Sequence, residues 1–207
     1  MKLYACKKTV LRFHPKGPAF INGYTTNTVD APQNVFVDIQ GRIVAVVHQQ
    51  KISDEEMHVI LETAFVDRLT DHLRKYLGLS ETSVARPDPQ KVYWDLESDR
   101  LIVSDKTLPA GVTEEEFTLY RVQNGVPLQG VDFDREMVLN VAGEELISYT
   151  KGCYLGQEIV ARVHYKGKPP KKLVVKFEQD CSMEQAGRMT SKVHDPATGK
   201  TMGFIFE

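Results

Sequence analysis

Hydrophobic and polar positions change period several times along the chain, and each change marks an element. Residues 9–13 are β-rich, and Pro15, Gly17 and Pro18 break the run. Residues 19–22 fit one helical turn, which Gly23 stops. Two β-rich runs, 34–39 and 42–49, flank Gln40-Gly41 and read as a hairpin. Within the second run Val44, Val46 and His48 alternate with Ala45 and Val47, which predicts a strand buried on both faces. Residues 57–62 read as a further strand. From Val66 the period lengthens. Val66, Leu69, Leu73 and Leu77 recur near helical spacing, Asp67, Arg68, Asp71 and Arg74 fill the other face, and Gly78 supplies a stop.

Pro87 and Pro89 mark a turn, and strands are predicted over 91–96 and 100–104. Thr113-Glu114-Glu115-Glu116 has a capping hydroxyl with a glutamate three residues on, which opens a helix running to about Asn124 and ending at Gly125. Its three glutamates also suit the positive end of the helix dipole. Residues 126–146 are loop-rich. A short strand over 146–149 and a helix over 155–162 follow. Pro169-Pro170 then separates a β-rich tail, with strands at 171–177 and 202–206 and turns around Gly187 and Gly199. There is no internal repeat and no regular βαβ alternation, so the expected class is α+β. The double proline is the best candidate boundary for a small C-terminal β-domain.

Composition narrows this further. The chain has 207 residues, 42% hydrophobic and 26% charged, which is ordinary for a globular protein with a core. A net charge of −2 argues against the whole molecule being an electrostatic nucleic-acid binder. No run of about 18 apolar residues occurs. The first residues resemble neither a secretory signal nor a transit peptide, so the expected address is cytoplasmic. The three cysteines, Cys6, Cys153 and Cys181, are widely spaced and form no C-x-x-C. The six histidines are scattered, so no permanent metal site is expected.

One cysteine has neighbours that suggest chemistry. Cys153 lies in Lys151-Gly152-Cys153-Tyr154-Leu155-Gly156-Gln157-Glu158, just ahead of the predicted helix. A sulfur near a helix start, with Lys151 beside it, gains thiolate character. Gly152 and Gly156 allow close backbone approach, and Gln157 and Glu158 are polar groups in the same turn. The alternative is a small buried cysteine in a tight turn.

The 151–158 stretch, continued by Val160-Ala161-Arg162 and Tyr165-Lys166-Gly167, is very similar to the signature of the YgfZ family of folate-binding proteins and its mitochondrial relatives. Other segments agree in order. Phe20-Ile21-Asn22-Gly23-Tyr24-Thr25-Thr26-Asn27 resembles the family's F-L-x-G-x-x-T-N, and Asp38-Ile39-Gln40-Gly41-Arg42-Ile43 resembles its hairpin. Tyr120-Arg121-Val122-Gln123-Asn124-Gly125-Val126-Pro127 resembles its R-x-x-x-G-[IV]-P helix end, and Gly187-Arg188-Met189-Thr190-Ser191 its G-x-[IV]-T-S strand.

The family shares its fold with the aminomethyltransferase T-protein. The resemblance therefore implies a folate-binding domain over 1–168, a ferredoxin-like inserted segment at about 53–112, and a small C-terminal β-barrel over 169–207. It implies tetrahydrofolate or a derivative as cofactor. It places a functional thiol at Cys153, assisted by Lys151, and folate contacts at Asn27, Phe117, Gln123, Tyr154, Gln157, Glu158 and Arg162. The implied role is support of iron–sulfur cluster assembly or repair, for example in tRNA-modifying enzymes, with iron–sulfur client or assembly proteins as partners. The alternative is a divergent tetrahydrofolate-dependent one-carbon transferase. Against it, the hairpin strand after Gly41 carries no carboxylate, and Gln123 stands where transferases have a glutamate.

Residues 159–177 carry Arg162, Lys166, Lys168, Lys171, Lys172 and Lys176 with no acidic residue. This local positive field suits a folate glutamate tail, or tRNA contact, or a solvated face. Tyr154, His164 and Tyr165 can stack on a flat ligand or serve as core or rim residues, Phe117 can face a pterin or pack in the core, and Trp94 reads as packing.

Overall fold

The computed structural model describes residues 1–87, 90–141, 143–167 and 169–207, so Pro89 of the expected turn and Lys168 of the basic stretch lie outside the described residues. The chain opens with β1 (Leu3–Cys6), β2 (Lys8–His14) and α1 (Gly17–Tyr24). Pro18 does not break the chain but starts the helix, because a first-turn N–H has no intrahelical partner to lose. β3 (Gln33–Val37) and β4 (Ile43–Lys51) then form the expected hairpin. Asp38 Oδ1 closes its tip, accepting from the N–H groups of Gln40 and Arg42 at 2.9 and 3.0 Å. β5 (Met57–Glu62) leads through a short 3₁₀ turn into α2 (Val66–Leu77), which buries Val66, Leu69 and Leu73 as their spacing predicted.

β6 (Ser83–Ala85) completes a five-stranded antiparallel sheet of order β3-β4-β5-β2-β6. Successive strand residues face opposite sides. Phe36 and Val47 therefore join Phe13, Ile21, Leu69 and Leu73 in one core beneath α1 and α2, while Val35 and Val37 enter a second core on the other side. Each fully buried side chain of this kind contributes about 1.5–3 kcal/mol.

β7 (Lys91–Asp95) and β8 (Arg100–Ser104) pair with β1 as a three-stranded sheet. Val92 packs with Val10 and Ile60, which joins this sheet to the first. Residues 53–112 thus contribute β5 and β6 to the large sheet and β7 and β8 to the small one. α3 (Glu114–Gln123) begins with both reciprocal bonds of the capping box between Thr113 and Glu116.

α4 (Val138–Val141) and α5 (Gln157–Lys166) follow. The strand expected at 146–149 does not form. Leu146 ends a 3₁₀ turn, its carbonyl accepting from Thr26 Oγ1 at 2.7 Å, and Ser148 N–H donates to Thr26 O at 2.9 Å rather than entering a ladder.

The tail folds as β9 (Leu173–Phe177), α6 (Met183–Arg188), β10 (Thr190–Asp195) and β11 (Lys200–Phe206). α6 replaces the turn expected at Gly187 and is opened by a Ser182–Gln185 capping box. The three strands form an open sheet, β10-β11-β9, and no closed barrel occurs among the described residues. Leu173, Val193, Met202 and Phe204 enter the second core with Val35, Ile43 and Val122. A buried polar centre fixes the same junction. Arg121 on α3 pairs with Asp132 at 3.0 Å and donates to Val126 O and Ser191 Oγ. Asp132 also accepts from Leu128 N–H, Thr190 Oγ1 and Ser191 Oγ.

Candidate functional site

The 151–158 stretch is a loop clamped from behind. Lys151 Nζ donates to the backbone carbonyls of Thr25 and Asn27, both at 2.7 Å, and lies 5.2 Å from the centre of the Tyr154 ring. Burial without a carboxylate partner pulls its amine down to about 8. Tyr154 is buried in the second core, and burial pushes its phenol up to about 12.

Cys153 is exposed. No hydrogen bond or ion pair links it to Lys151 among the described residues; the Lys151 ammonium is held by the carbonyls of Thr25 and Asn27. The helix also starts later than the sequence predicts. Gly156 caps it in the left-handed region with φ +81°, so α5 begins at Gln157, four positions after Cys153. A side chain at Gly156 would overlap the Asp38 carbonyl oxygen, which presses this loop onto the hairpin tip.

The other predicted contacts scatter. Asn27 is buried, and its side-chain amide is fully engaged. Nδ2 donates to the Glu145 carbonyl at 2.7 Å and to that of Gln33 at 3.4 Å, while Oδ1 accepts from Thr28 N–H at 2.9 Å. Phe117 is buried, stacked on Tyr4 at 3.9 Å and packed beside Trp94. Gln123 is exposed at the end of α3, and its side chain hydrogen-bonds Asp195. Gln157 is half-buried at the first turn of α5. Glu158 and Arg162 pair with each other at 3.1 Å on its exposed face.

Beside these elements lies a cleft of about 440 Å³. Val35, Ile43, Val46, Phe133, Leu146 and Leu173 make its walls apolar, the 124–127 loop after α3 forms one side, and Gln33, Glu145 and Lys172 bring polar groups to it. This is the composition of a site for a flat, partly apolar ligand with polar ends. None of the nine residues singled out in the sequence lines it, but two support it from behind. Asn27 holds two lining residues, Gln33 and Glu145, by their carbonyls, and Lys151 holds Asn27. The signal for the cleft was present in the Gly125-Val126-Pro127 helix end. The residues of that motif line the cleft, whereas the side chain of Gln123 does not.

No family model matches the chain. It is 32% identical over 114 residues to the tRNA-modifying protein YgfZ of Colwellia psychrerythraea, covering 49% of this chain and 33% of that one. It is 39% identical over 69 residues to the mitochondrial iron–sulfur cluster assembly factor IBA57 of Mus musculus, covering 31% and 19%. A Haemophilus influenzae protein of uncharacterised function is 28% identical over 151 residues, 63% of this chain and 54% of that one. The resemblance to the YgfZ family holds. These alignments span about half or less of the curated relatives' own length. Among solved structures, the glycine cleavage system aminomethyltransferase T of Bartonella henselae superposes with a TM-score of 0.72. The match covers 99% of this chain and 78% of that one, and at 11% identity it concerns the fold alone.

In this YgfZ-like chain three cations of the basic stretch are paired. Arg162 pairs with Glu158, Lys171 with Glu136 at 2.8 Å, and Lys176 with Glu207. Lys166 is exposed, and Lys172 reaches the cleft. The aromatic groups near the end of α5 meet one another. Tyr149 stacks on His164 at 3.8 Å, and Tyr165 presents its exposed ring at the edge of that pair. Among the described residues no helix is long and apolar enough to cross a membrane.

Proposed function

We propose that this chain is a folate-binding accessory protein supporting iron–sulfur cluster assembly or repair, including that of tRNA-modifying enzymes, with tetrahydrofolate or a derivative in the cleft and Cys153 as its functional thiol. The observation that carries the reading is the cleft itself. Its apolar walls accept a flat ring, and its lining includes the loop of the R-x-x-x-G-V-P segment through which the chain resembles folate binders. The relatives named YgfZ and IBA57 support the iron–sulfur and tRNA side of the reading. In the same reading, residues 1–168 hold the ligand, with 53–112 as the inserted segment, and 169–207 form the small C-terminal unit that closes one side of the cleft through Lys172 and Leu173. The iron–sulfur proteins served are its partners, and the compartment is the cytoplasm.

The protein's own groups do three things in this role. The apolar walls exclude water from one face of the ligand. Asn27 and Lys151 hold the supporting segments in place. Cys153 stays open to solvent, where a partner protein can reach it. β4 carries no carboxylate, so the strand offers no acidic group beside the reacting amine of an aminomethyl transfer.

Two experiments test the reading. Calorimetric titration with tetrahydrofolate is expected to give saturable binding, and no heat at millimolar ligand removes the folate part. A Cys153→Ala variant is expected to fail to restore iron–sulfur enzyme activity in a strain lacking this protein. Full rescue by that variant removes the functional thiol.

A further inference from the structure

We propose that β8 is the surface through which this protein pairs with a second copy of itself, strand to strand and antiparallel, about a two-fold axis beside Ile102. The three sheets of the described residues have six edges, and five of them are blunted. The outer side of β3 is occupied by the Thr25–Phe36 bridge and by Thr26 N–H, which donates to Val35 O at 3.0 Å. β1 is met by Val112 N–H, which donates to Leu3 O at 3.1 Å. β6 has three residues and is followed by Arg86 and Pro87. β9 carries Lys176 within its run, and β10 is bulged between Thr190 and Val193, with Ser191 in the left-handed region at φ +47°. β8 has no such device, and its single charge is at its first residue, Arg100. Its five residues pair with β7 in unbroken register, and their other side makes no backbone hydrogen bond among the described residues. Leu101, Ile102 and Val103 are all half-buried. The chain beyond β8 turns away from this edge. Lys91 on β7 bonds to Thr107, Leu108 N–H donates to Tyr93 OH at 3.0 Å, and Val112 reaches β1.

The chemistry of the strand selects its occupant. Backbone N–H and C=O groups on an open edge call for another strand, and three adjacent apolar residues call for apolar neighbours. A second copy supplies both. In a two-fold antiparallel pair the two strands turn like faces to the same side, so the axis passes beside one residue, which lies opposite its own copy. With the axis at Ile102, the middle of β8, Ile102 meets Ile102, and Leu101 of each copy meets Val103 of the other. Leu101 and Val103 already pack on Val10, Ile60 and Val92, so the added strand lengthens an existing apolar layer. Charge then favours the antiparallel direction. At the turn end of the β7–β8 hairpin Glu97 and Asp99 outnumber Arg100, and at its open end Lys91 and Lys106 outnumber Asp105. Antiparallel pairing sets each acidic end against a basic one, with Lys106 beside Ser98 of the other copy, between Glu97 and Asp99. Parallel pairing would set like against like. None of these residues lines the cleft, so pairing leaves its walls untouched and does not depend on the folate reading. An interface this short makes a weak, reversible dimer.

The test is sedimentation velocity of the full chain from micromolar to near-millimolar concentration, where a monomer–dimer equilibrium is expected. Ile102→Lys and Ile102→Glu each set two like charges face to face, and each is expected to weaken dimerisation about tenfold. An equal mixture of the two variants is expected to restore it, because opposite charges then face each other across the axis. Lys106→Glu, at the charged end, is expected to weaken the dimer less. Urea midpoints close to wild type establish that the variants are folded. Hydrogen exchange on the wild-type protein needs no variant: the amides of residues 100–104 are expected to exchange more slowly as protein concentration rises, while those of β6 do not change. A chain that stays monomeric across the whole range overturns the pairing. So does a dimer that Ile102→Lys leaves intact, one that the mixture of folded variants fails to restore, or exchange over 100–104 that is independent of concentration.

Discussion

Arg121 and Cys153 occupy opposite kinds of polar environment. Arg121 is buried with Asp132, and the two groups between them engage α3, the 126–132 loop and the start of β10. Cys153 is exposed, and Lys151, two positions before it, is already committed to carbonyls elsewhere. A buried charge is tolerated only when it is paired, and although Arg121 Nε itself has no partner, the bonds of this buried pair hold the C-terminal sheet in place. An exposed thiol needs no partner and stays available. The difference teaches that, in this molecule, richness in hydrogen bonds marks the scaffold. The functional candidates are the groups left without partners beside it.

The sharpest way to break this comparison is at the buried centre. Asp132→Ala leaves the Arg121 guanidinium buried without its counter-charge, and is expected to cost about 3–5 kcal/mol. Urea denaturation followed by far-UV circular dichroism measures it. A loss below about 1 kcal/mol would mean that the centre is not what fixes the C-terminal sheet. The loop responds next. Gly156→Ala combines a left-handed backbone with overlap on the Asp38 carbonyl, and roughly 1–3 kcal/mol is expected. Gly152→Ala, whose added methyl meets nothing within 4 Å, should change stability by no more than about 0.5 kcal/mol. The two melting temperatures, taken side by side, separate a glycine needed for packing from one that is not.

Much of the frame was legible because local chemistry decided it. The α2 stripe, the Thr113 capping box and the Gln40-Gly41 turn each form where their residues dictate. β10 was only glimpsed through its Thr190-Ser191 start, since its residues meet their partners in β11 and no local rule reveals that. The site was harder for the same reason. The motif at 151–158 stands out in the sequence because its residues are unusual together, yet the unusual residues turn out to brace the cleft rather than line it. Lining residues such as Val46, Leu146 and Leu173 look like any core positions until the fold gathers them. Lys151 illustrates both halves. Its importance was readable, but its partners are more than 120 positions away, so its orientation was not.

Lys151 gives a third way to sharpen the comparison, through pH. Burial lowers its amine from 10.5 to about 8. Between those values the unfolded chain binds more protons at this residue than the folded one, so its contribution makes stability rise with pH. Below about pH 8 the cost of burying the charge is fully present. Lys151→Met removes this group, and its stability is expected to rise less steeply than wild type between about pH 8 and 10.5. Chemical denaturation at about pH 7.5, 9 and 10.5 reads the difference in slope. Equal slopes for the two proteins would mean that Lys151 titrates as an ordinary surface lysine.

The smallest effect belongs to the most exposed pair. Arg162 is part of the motif through which the chain resembles its relatives, yet here it meets Glu158 one helical turn away, on the solvent face. An exposed pair at this spacing contributes only about 0.3–0.5 kcal/mol, and salt screens it. Arg162→Ala is therefore expected to lower stability by about that amount at low ionic strength and by less at about 1 M salt, where the screening length falls to about 3 Å. Affinity for 5-formyltetrahydrofolate should not change, because Arg162 does not line the cleft. A tenfold loss of affinity would move Arg162 from the helix surface to the ligand. It would also show that on this helix, unlike at the Arg121 centre, a side chain with a partner is still free to exchange it.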